Sequence, residues 1–172
     1  MVERITIRGG TPAPSGERST FGSRGKLFAD LDEVIATAES SKLIVLVEFV
    51  GLKQYADAVG QEASDELLAR LGDRLVALVG SSGSFYSLRR AELCALVDDS
   101  AEGRTAFLDD LEAALGKDVD VYEVTPTFGI ALVPDEAAAP LEALEIADQR
   151  LNVQKLARDP SRRPLKRMLA QP

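Results

Sequence analysis

The sequence predicts an α/β sandwich, in which helices pack on a central antiparallel or mixed sheet. The nearly continuous apolar run Lys42–Val50 predicts a central strand, because a strand that is apolar on both faces belongs in a covered sheet. Two short apolar runs, Phe85–Leu88 and Leu93–Val97, are separated by four residues and predict a β-hairpin. Segments with helical apolar spacing, Ala63–Val79 and Ala101–Leu115, stand on either side of this hairpin.

The chain begins with a segment that predicts little regular structure. Val2–Arg8 alternates enough for a short strand, and residues 9–25 are rich in Gly, Pro, Ser and Thr and predict a flexible linker. Lys26–Ser40 carries apolar residues at near-helical spacing and predicts a helix. Such a leading helix serves either as a connector or dimer stalk, or it packs on the surface of its own domain.

Between the first strand and the hairpin the sequence predicts two helical segments. A short amphipathic turn, Leu52–Val59, is followed by Gly60 and then by the long helix. Ser64 is the predicted cap of that helix, and the acidic residues Asp65 and Glu66 suit the positive end of the helix dipole.

Beyond the hairpin the predicted order is helix, two strands and a last helix. Val119–Val124 and Thr127–Val133 are the predicted strands, and Pro126 indicates a sheet edge or a strand start. Pro140 opens a helix that continues to about Ala157. The core order β-α-β-β-α-β is the ferredoxin-like arrangement, with its first and third strands central and both crossover helices on one face.

Composition limits the classes of function. The chain has 172 residues, one cysteine and no histidine, so acid–base or metal chemistry has to rest on carboxylates, Lys or Tyr. Residues 27–157 hold 10 basic and 25 acidic side chains, which disfavours binding of nucleic acid. Neither a membrane span nor a secretory signal is evident, and the cytoplasm is the expected compartment. The predicted boundaries are 1–25 for the flexible segment, 26–159 for the domain and 160–172 for a basic tail.

Charged residues at the ends of the predicted strands are the candidate site. Glu48 interrupts the apolar run near its carboxyl end, where burial of a lone carboxylate is costly. Arg89, Arg90 and Glu92 occupy the predicted hairpin tip, which a four-residue loop on a type I turn closes. A solvated tip without any function is the alternative.

Four segments resemble diguanylate cyclase (GGDEF) domains. EFVGLKQYADAVGQEASDELLARLGDRL is similar to the segment that runs from Asp-x-Asp-x-Phe-Lys through Gly-His-x-x-Gly-Asp in that family. SLRRAELCALV resembles the strands around the Gly-Gly-Asp-Glu-Phe signature, with RRAEL in its place. TPTFGIALVP and IADQRLNVQK resemble the later Ser-Ile-Gly-Ile strand and the terminal helix. The resemblance covers roughly residues 27–159 and implies the same ferredoxin-like palm.

Active members of that family condense two GTP molecules into cyclic di-GMP with the help of two divalent metals. The resemblance implies that Glu48 stands at the first metal-binding position and Val50 at the second acidic position of that strand. Ala91 stands at the metal-binding carboxylate of the signature, whereas Glu92 is retained. Two candidate metal ligands, Glu48 and Glu92, therefore remain where the family uses more.

The resemblance also identifies candidate nucleotide contacts. Asp65 matches an aspartate that contacts guanine, and Lys155 matches a lysine that meets phosphate. The guanine-contacting asparagine is replaced by Ala56, and both signature glycines are replaced by Arg89 and Arg90. Arginine binds phosphate well, but it does not replace a metal ligand.

The expected function is that of a regulatory or protein-interaction module without cyclase activity, in cyclic-di-GMP-type signalling. A GTP-binding sensor and a weakly active diguanylate cyclase are the alternatives, and only these would need GTP and Mg²⁺. No catalytic residue and no required cofactor is expected. A protein partner or a second copy of the chain is the expected partner.

Overall fold

The computed structural model describes residues 21–89, 91–116 and 124–158. Its elements are β1 (Gly22–Ser23), α1 (Arg24–Thr37), β2 (Lys42–Val50), α2 (Leu52–Val59), α3 (Gln61–Val79), β3 (Gly83–Arg89), β4 (Glu92–Asp98), α4 (Gly103–Gly116), β5 (Thr125–Val133) and α5 (Pro140–Arg158). The predicted strand Val2–Arg8, the greater part of the predicted linker and residues 119–123 lie outside the described residues. No helix in the described ranges is long and apolar enough to cross a membrane.

The sheet has the strand order β1-β3-β4-β2-β5. β2 pairs antiparallel with both β4 and β5, β3 pairs antiparallel with β4, and β1 adds a short parallel pairing at the outer edge of β3. The ferredoxin-like prediction is confirmed, because the first and third strands of its core, β2 and β4, are central.

Each face of the sheet carries its own apolar cluster. Alternate residues of β2 such as Val45 and Val47 pack with α2, α3 and α4 on one face. Ile44 and Leu46 point to the other face, where they pack with α1 and α5. This two-sided covering explains why β2 is apolar at nearly every position.

Side chains from α5 and from the loop before α5 form hydrogen bonds with the outer edge of β5. Gln154 accepts from the Phe128 N–H at 2.6 Å, Glu136 accepts from the Leu132 N–H at 2.9 Å, and Arg150 donates to the Ile130 carbonyl at 2.8 Å. Arg158 donates to the Pro126 carbonyl at 2.8 Å. Because its outward polar groups are bonded, this edge is protected from pairing with another strand.

The leading segment differs from the prediction. Gly22 and Ser23 pair with β3, and α1 begins at Arg24, so the last residues of the predicted linker are structured. Ser23 explains the early start, because its side chain accepts from the Lys26 N–H and caps the helix. Leu27 and Leu31 are fully buried, so α1 packs on its own domain.

Three further details correct the sequence prediction. The helix α3 begins at Gln61 with Gly60 as N-cap, so Ser64 lies inside its first turns and is not a cap. Arg89 pairs with Glu92, so a two-residue connection replaces the predicted four-residue tip. Val124, the last residue of the predicted strand Val119–Val124, lies outside any strand. The strand β5 begins at Thr125, two residues before the predicted start, and so includes Pro126.

Candidate functional site

Two glutamates stand opposite each other on the central strands. Glu48 on β2 and Glu92 on β4 are partners in the antiparallel register, on the face of the sheet that α1 and α5 cover. Side chains on directly opposed residues lie close together, and two like charges in that arrangement repel. The repulsion has to be offset by cations or by protonation.

Lys155 supplies a cation for the first glutamate. Its Nζ atom lies 2.8 Å from Glu48 Oε2, and about a third of each side chain is exposed, 32% for the lysine and 34% for the glutamate. A glycine on β5 allows the helix to come this close, because a Cβ on Gly129 would lie 1.9 Å from the Ala147 carbonyl oxygen. The lysine and the glutamate of the candidate site are therefore already bonded to each other.

Arg89 is a cation close to the second glutamate. Its Nε atom lies 3.5 Å from Glu92 Oε2, and its side chain is 79% exposed, against 21% for Glu92. Partial burial, with the charges of Glu48 and Asp148, raises the pKa of Glu92, and Arg89 and Arg24 oppose this shift. Glu92 is thus a carboxylate whose charged form the fold disfavours.

The other predicted site residues are less closely joined to this pair. Asp65 lies on α3, where the side-chain amide of Gln61 donates to it at 3.0 Å. Arg90 lies outside the described residues. Ala91 donates no ligand from its side chain, which packs against the apolar cluster on the α3 face. Its carbonyl accepts from the Phe49 N–H at 3.0 Å and fixes the hairpin end against β2.

The donor set limits what the site can hold. Mg²⁺ takes hard oxygen ligands in octahedral geometry, through one or two protein carboxylates together with water and phosphate oxygens. Among residues 21–89, 91–116 and 124–158 there is no group of three or more metal-binding side chains. Glu48 and Glu92 are the carboxylates that the paired strands supply here, and a metal ion would have to compete with Lys155 for Glu48. These residues do not fit a site for two metal ions.

Sequence reasoning missed two charged residues of this surface. Arg24 in the first turn of α1 and Asp148 on α5 both act on the charge of Glu92. Asp148 could have been found, because it precedes Lys155 by two helical turns and lies on the same side of α5. Arg24 gives no such signal, since it lies inside the predicted linker, residues 9–25.

Residues 19–160 match the protein-family model described as "Diguanylate cyclase, GGDEF domain". The chain belongs to the GGDEF domain family. The two glutamates of this GGDEF domain lie at the end of the central strands, and the family match includes every residue of the candidate site.

Solved structures agree with this GGDEF fold. A structure that comprises only the GGDEF domain of TpbB (YfiN) from Pseudomonas aeruginosa is 21% identical, with a TM-score of 0.70, covering 81% of this chain and 87% of that chain. The GGDEF domain of DgcB from Caulobacter crescentus, in complex with c-di-GMP, is 15% identical with a TM-score of 0.70, covering 89% and 95%.

A third similar structure contains a partner protein. The diguanylate cyclase SiaD from Pseudomonas aeruginosa, in complex with its activator SiaC, is 14% identical with a TM-score of 0.72. The match covers 81% of this chain and 57% of that chain. No curated protein sequence matches this GGDEF domain. At these identities the structural matches support the fold alone.

Proposed function

We propose that this GGDEF domain is a regulatory or protein-interaction module in cyclic-di-GMP-type signalling and does not make cyclic di-GMP. The observation that carries the proposal is the ion pair between Lys155 and Glu48. It joins the candidate phosphate-binding lysine to the candidate metal ligand, so each satisfies the other without a nucleotide or a metal ion.

The chemistry of the remaining residues supports the same proposal. Two metal ions that assist phosphoryl transfer need several oxygen ligands held close together. Position 91 contributes a methyl group to the apolar cluster, and Val50 carries no ligand. Glu92 remains, but no group of three or more metal-binding side chains stands around it in the described residues, as a pair of ions would require.

A turnover assay on the full chain tests this proposal. Purified protein is incubated with GTP and Mg²⁺, the products are separated by chromatography, and an active diguanylate cyclase serves as positive control. No cyclic di-GMP is expected from the wild-type chain. Formation of product that Glu92→Ala abolishes would contradict the proposal and support the alternative of a weakly active cyclase.

Nucleotide sensing is the second candidate function, and the exposed guanidinium of Arg89 favours it. With 79% of its side chain exposed at the hairpin end, Arg89 is accessible to a phosphate group. Calorimetric titration with GTP, with and without Mg²⁺, separates the two candidates. Flat heats up to high micromolar GTP would remove the sensor, whereas saturable heat that Arg89→Ala abolishes would establish it.

The partner in the proposed module is another protein or a second copy of this chain. The SiaD structure supports the first possibility by likeness, since that diguanylate cyclase is in complex with an activator protein. Light scattering on the full chain over a range of concentrations tests the second. A mass that stays at 18.5 kDa would exclude a homodimer at those concentrations, whereas a doubled mass would establish it.

A further inference from the structure

The helix α1 is held on the hairpin by a polar contact in addition to its apolar one. The Tyr86 hydroxyl donates to Asp30 Oδ2 at 2.6 Å, and Lys26 Nζ donates to Asp30 Oδ1 at 2.5 Å. Tyr86 is nearly fully buried, whereas its partner Asp30 is on the outer helix. A hydrogen bond with a charged acceptor is among the stronger ones in proteins, and we call this group of three residues the latch.

The short strand β1 lies against the same tyrosine ring. Gly22 and Ser23 pair with Tyr86 and Ser87, and a Cβ on Gly22 would come within 2.7 Å of the ring. The backbone of β1 therefore crosses the ring at a distance that only glycine permits. Together, β1 and α1 form a continuous segment, residues 22–37, that lies across the hairpin; we call it the strap.

Apart from the latch and the pairing of β1 with β3, the strap is held by few fully buried side chains, with Val34 and Ile35 partly buried against the same apolar cluster. Two of the 14 residues of α1, Leu27 and Leu31, are buried. By contrast, six of the 19 residues of α3 are buried. The strap is followed by Ala38, the C-cap of α1, which has φ 48° in the left-handed region that disfavours residues other than glycine. A small buried interface that ends at a strained residue is typical of a segment that opens locally.

We propose that the strap opens from the hairpin as a local unit, and that the latch keeps it closed through the hydrogen bond between Tyr86 and Asp30. Opening releases β1 from Tyr86 and Ser87, which lie just before Arg89 on the hairpin that carries Arg89 and Glu92. The position of the leading helix is thereby coupled to the candidate site. A partner that binds α1 acts on the site through this motion, whether or not the site binds a nucleotide.

The single cysteine of the chain reports on this opening. Cys94 on β4 is directly opposite Tyr86, is fully buried and belongs to the same apolar cluster as Leu27 and Leu31. Burial raises the pKa of its thiol, so it is unreactive while the strap is closed. Opening of the strap uncovers the cluster and makes Cys94 accessible to a thiol reagent.

The test is the rate at which a thiol reagent labels Cys94 in the native full chain. Tyr86→Phe keeps the ring against Gly22 and removes only the hydroxyl, and it is expected to accelerate labelling by about ten- to a hundredfold. Tyr55→Phe is the matched control, because it removes a hydroxyl from a buried tyrosine on the opposite face. It is expected to leave the rate unchanged within about twofold.

Urea unfolding of each variant separates local opening from global unfolding. If the strap opens locally, labelling of Tyr86→Phe is faster than its free energy of unfolding predicts, and Asp30→Asn shows an acceleration in the same direction. Labelling rates that follow global stability alone would overturn the proposal. An unchanged rate in Tyr86→Phe, or an equal acceleration in Tyr55→Phe, would overturn it as well.

Discussion

The two ends of the central strand β2 are both rich in charge, but the charges are arranged in opposite ways. At the Lys42 end, acidic and basic groups are matched: Arg104 contacts both carboxylate oxygens of Asp99, and Arg150 contacts both of Glu136. At the Glu48 end, two glutamates face each other across paired strands.

The pKa values of the glutamates show what this difference does. Hydrogen bonds from Arg150 hold the pKa of Glu136 well below its usual value, at about 2. Burial and the neighbouring carboxylates raise the pKa of Glu92. The fold therefore favours the charged form of Glu136 at the Lys42 end and disfavours that of Glu92 at the Glu48 end, where the candidate site lies.

The largest loss of stability is expected from Gly129→Ala. This substitution displaces α5, and α5 supplies cations to both ends of β2. The added methyl group would lie 1.9 Å from the Ala147 carbonyl oxygen, and the helix that carries Arg150 and Lys155 must shift. The expected loss is about 3 kcal/mol in the free energy of unfolding, measured in urea. Gly116→Ala is the control, with open space around the position and an expected change within about 0.5 kcal/mol. Equal effects would show that α5 does not need this close approach.

A smaller loss is expected from Lys155→Met, which acts only at the Glu48 end. Removing the ammonium leaves the repulsion between Glu48 and Glu92 without its offsetting cation, at a cost of about 1 kcal/mol at neutral pH. Lys53→Met is the matched control, because Lys53 pairs with Asp57 on an exposed helix face. That control should change stability by less than about 0.5 kcal/mol. Restoring stability by the further change Glu48→Gln would confirm the origin of the loss.

Glu136→Gln tests the Lys42 end through the pH dependence of the free energy of unfolding. A carboxyl whose pKa is lowered by folding stabilises the native state above the unfolded value of 4.5, and this stabilisation is lost as the pH falls toward about 2. The wild-type chain should therefore exceed the variant in stability at pH 7, and the difference should shrink between pH 4.5 and 2. Urea titrations across this range provide the measurement, and a difference that does not depend on pH would contradict the prediction.

The smallest effect, with the opposite sign, is expected from Glu92→Gln. A raised pKa means that the folded chain binds the proton more tightly than the unfolded chain, so the ionised carboxylate destabilises the fold above its pKa. The variant should be more stable than the wild type at pH 7, by about 0.5 kcal/mol, and the gain should vanish in acid, where Glu92 is protonated. A loss of stability at pH 7 would show that the Glu48 end is structural after all.

Much of the fold follows from local patterns. The bounds of β2 and α2 coincide with the prediction because a nearly continuous apolar run defines the strand and two flanking glycines, Gly51 and Gly60, define the helix. The ferredoxin-like order, the family and the candidate glutamates follow from the sequence too. Several errors lie at the ends of elements, where a capping residue decides the boundary, as Ser23 does for α1. The sequence does not predict the short strand β1, because its pairing with β3 is a tertiary contact.

The sequence by itself determined which strand is central and which carboxylates remain at its end, because hydrophobic periodicity and residue identity are local properties. Only the tertiary structure decided which cation each carboxylate meets. Lys155 bonds to a glutamate 107 positions away, and Tyr86 bonds to an aspartate 56 positions away. Neither contact leaves a local pattern, because the close packing of helices on the sheet brings these residues together.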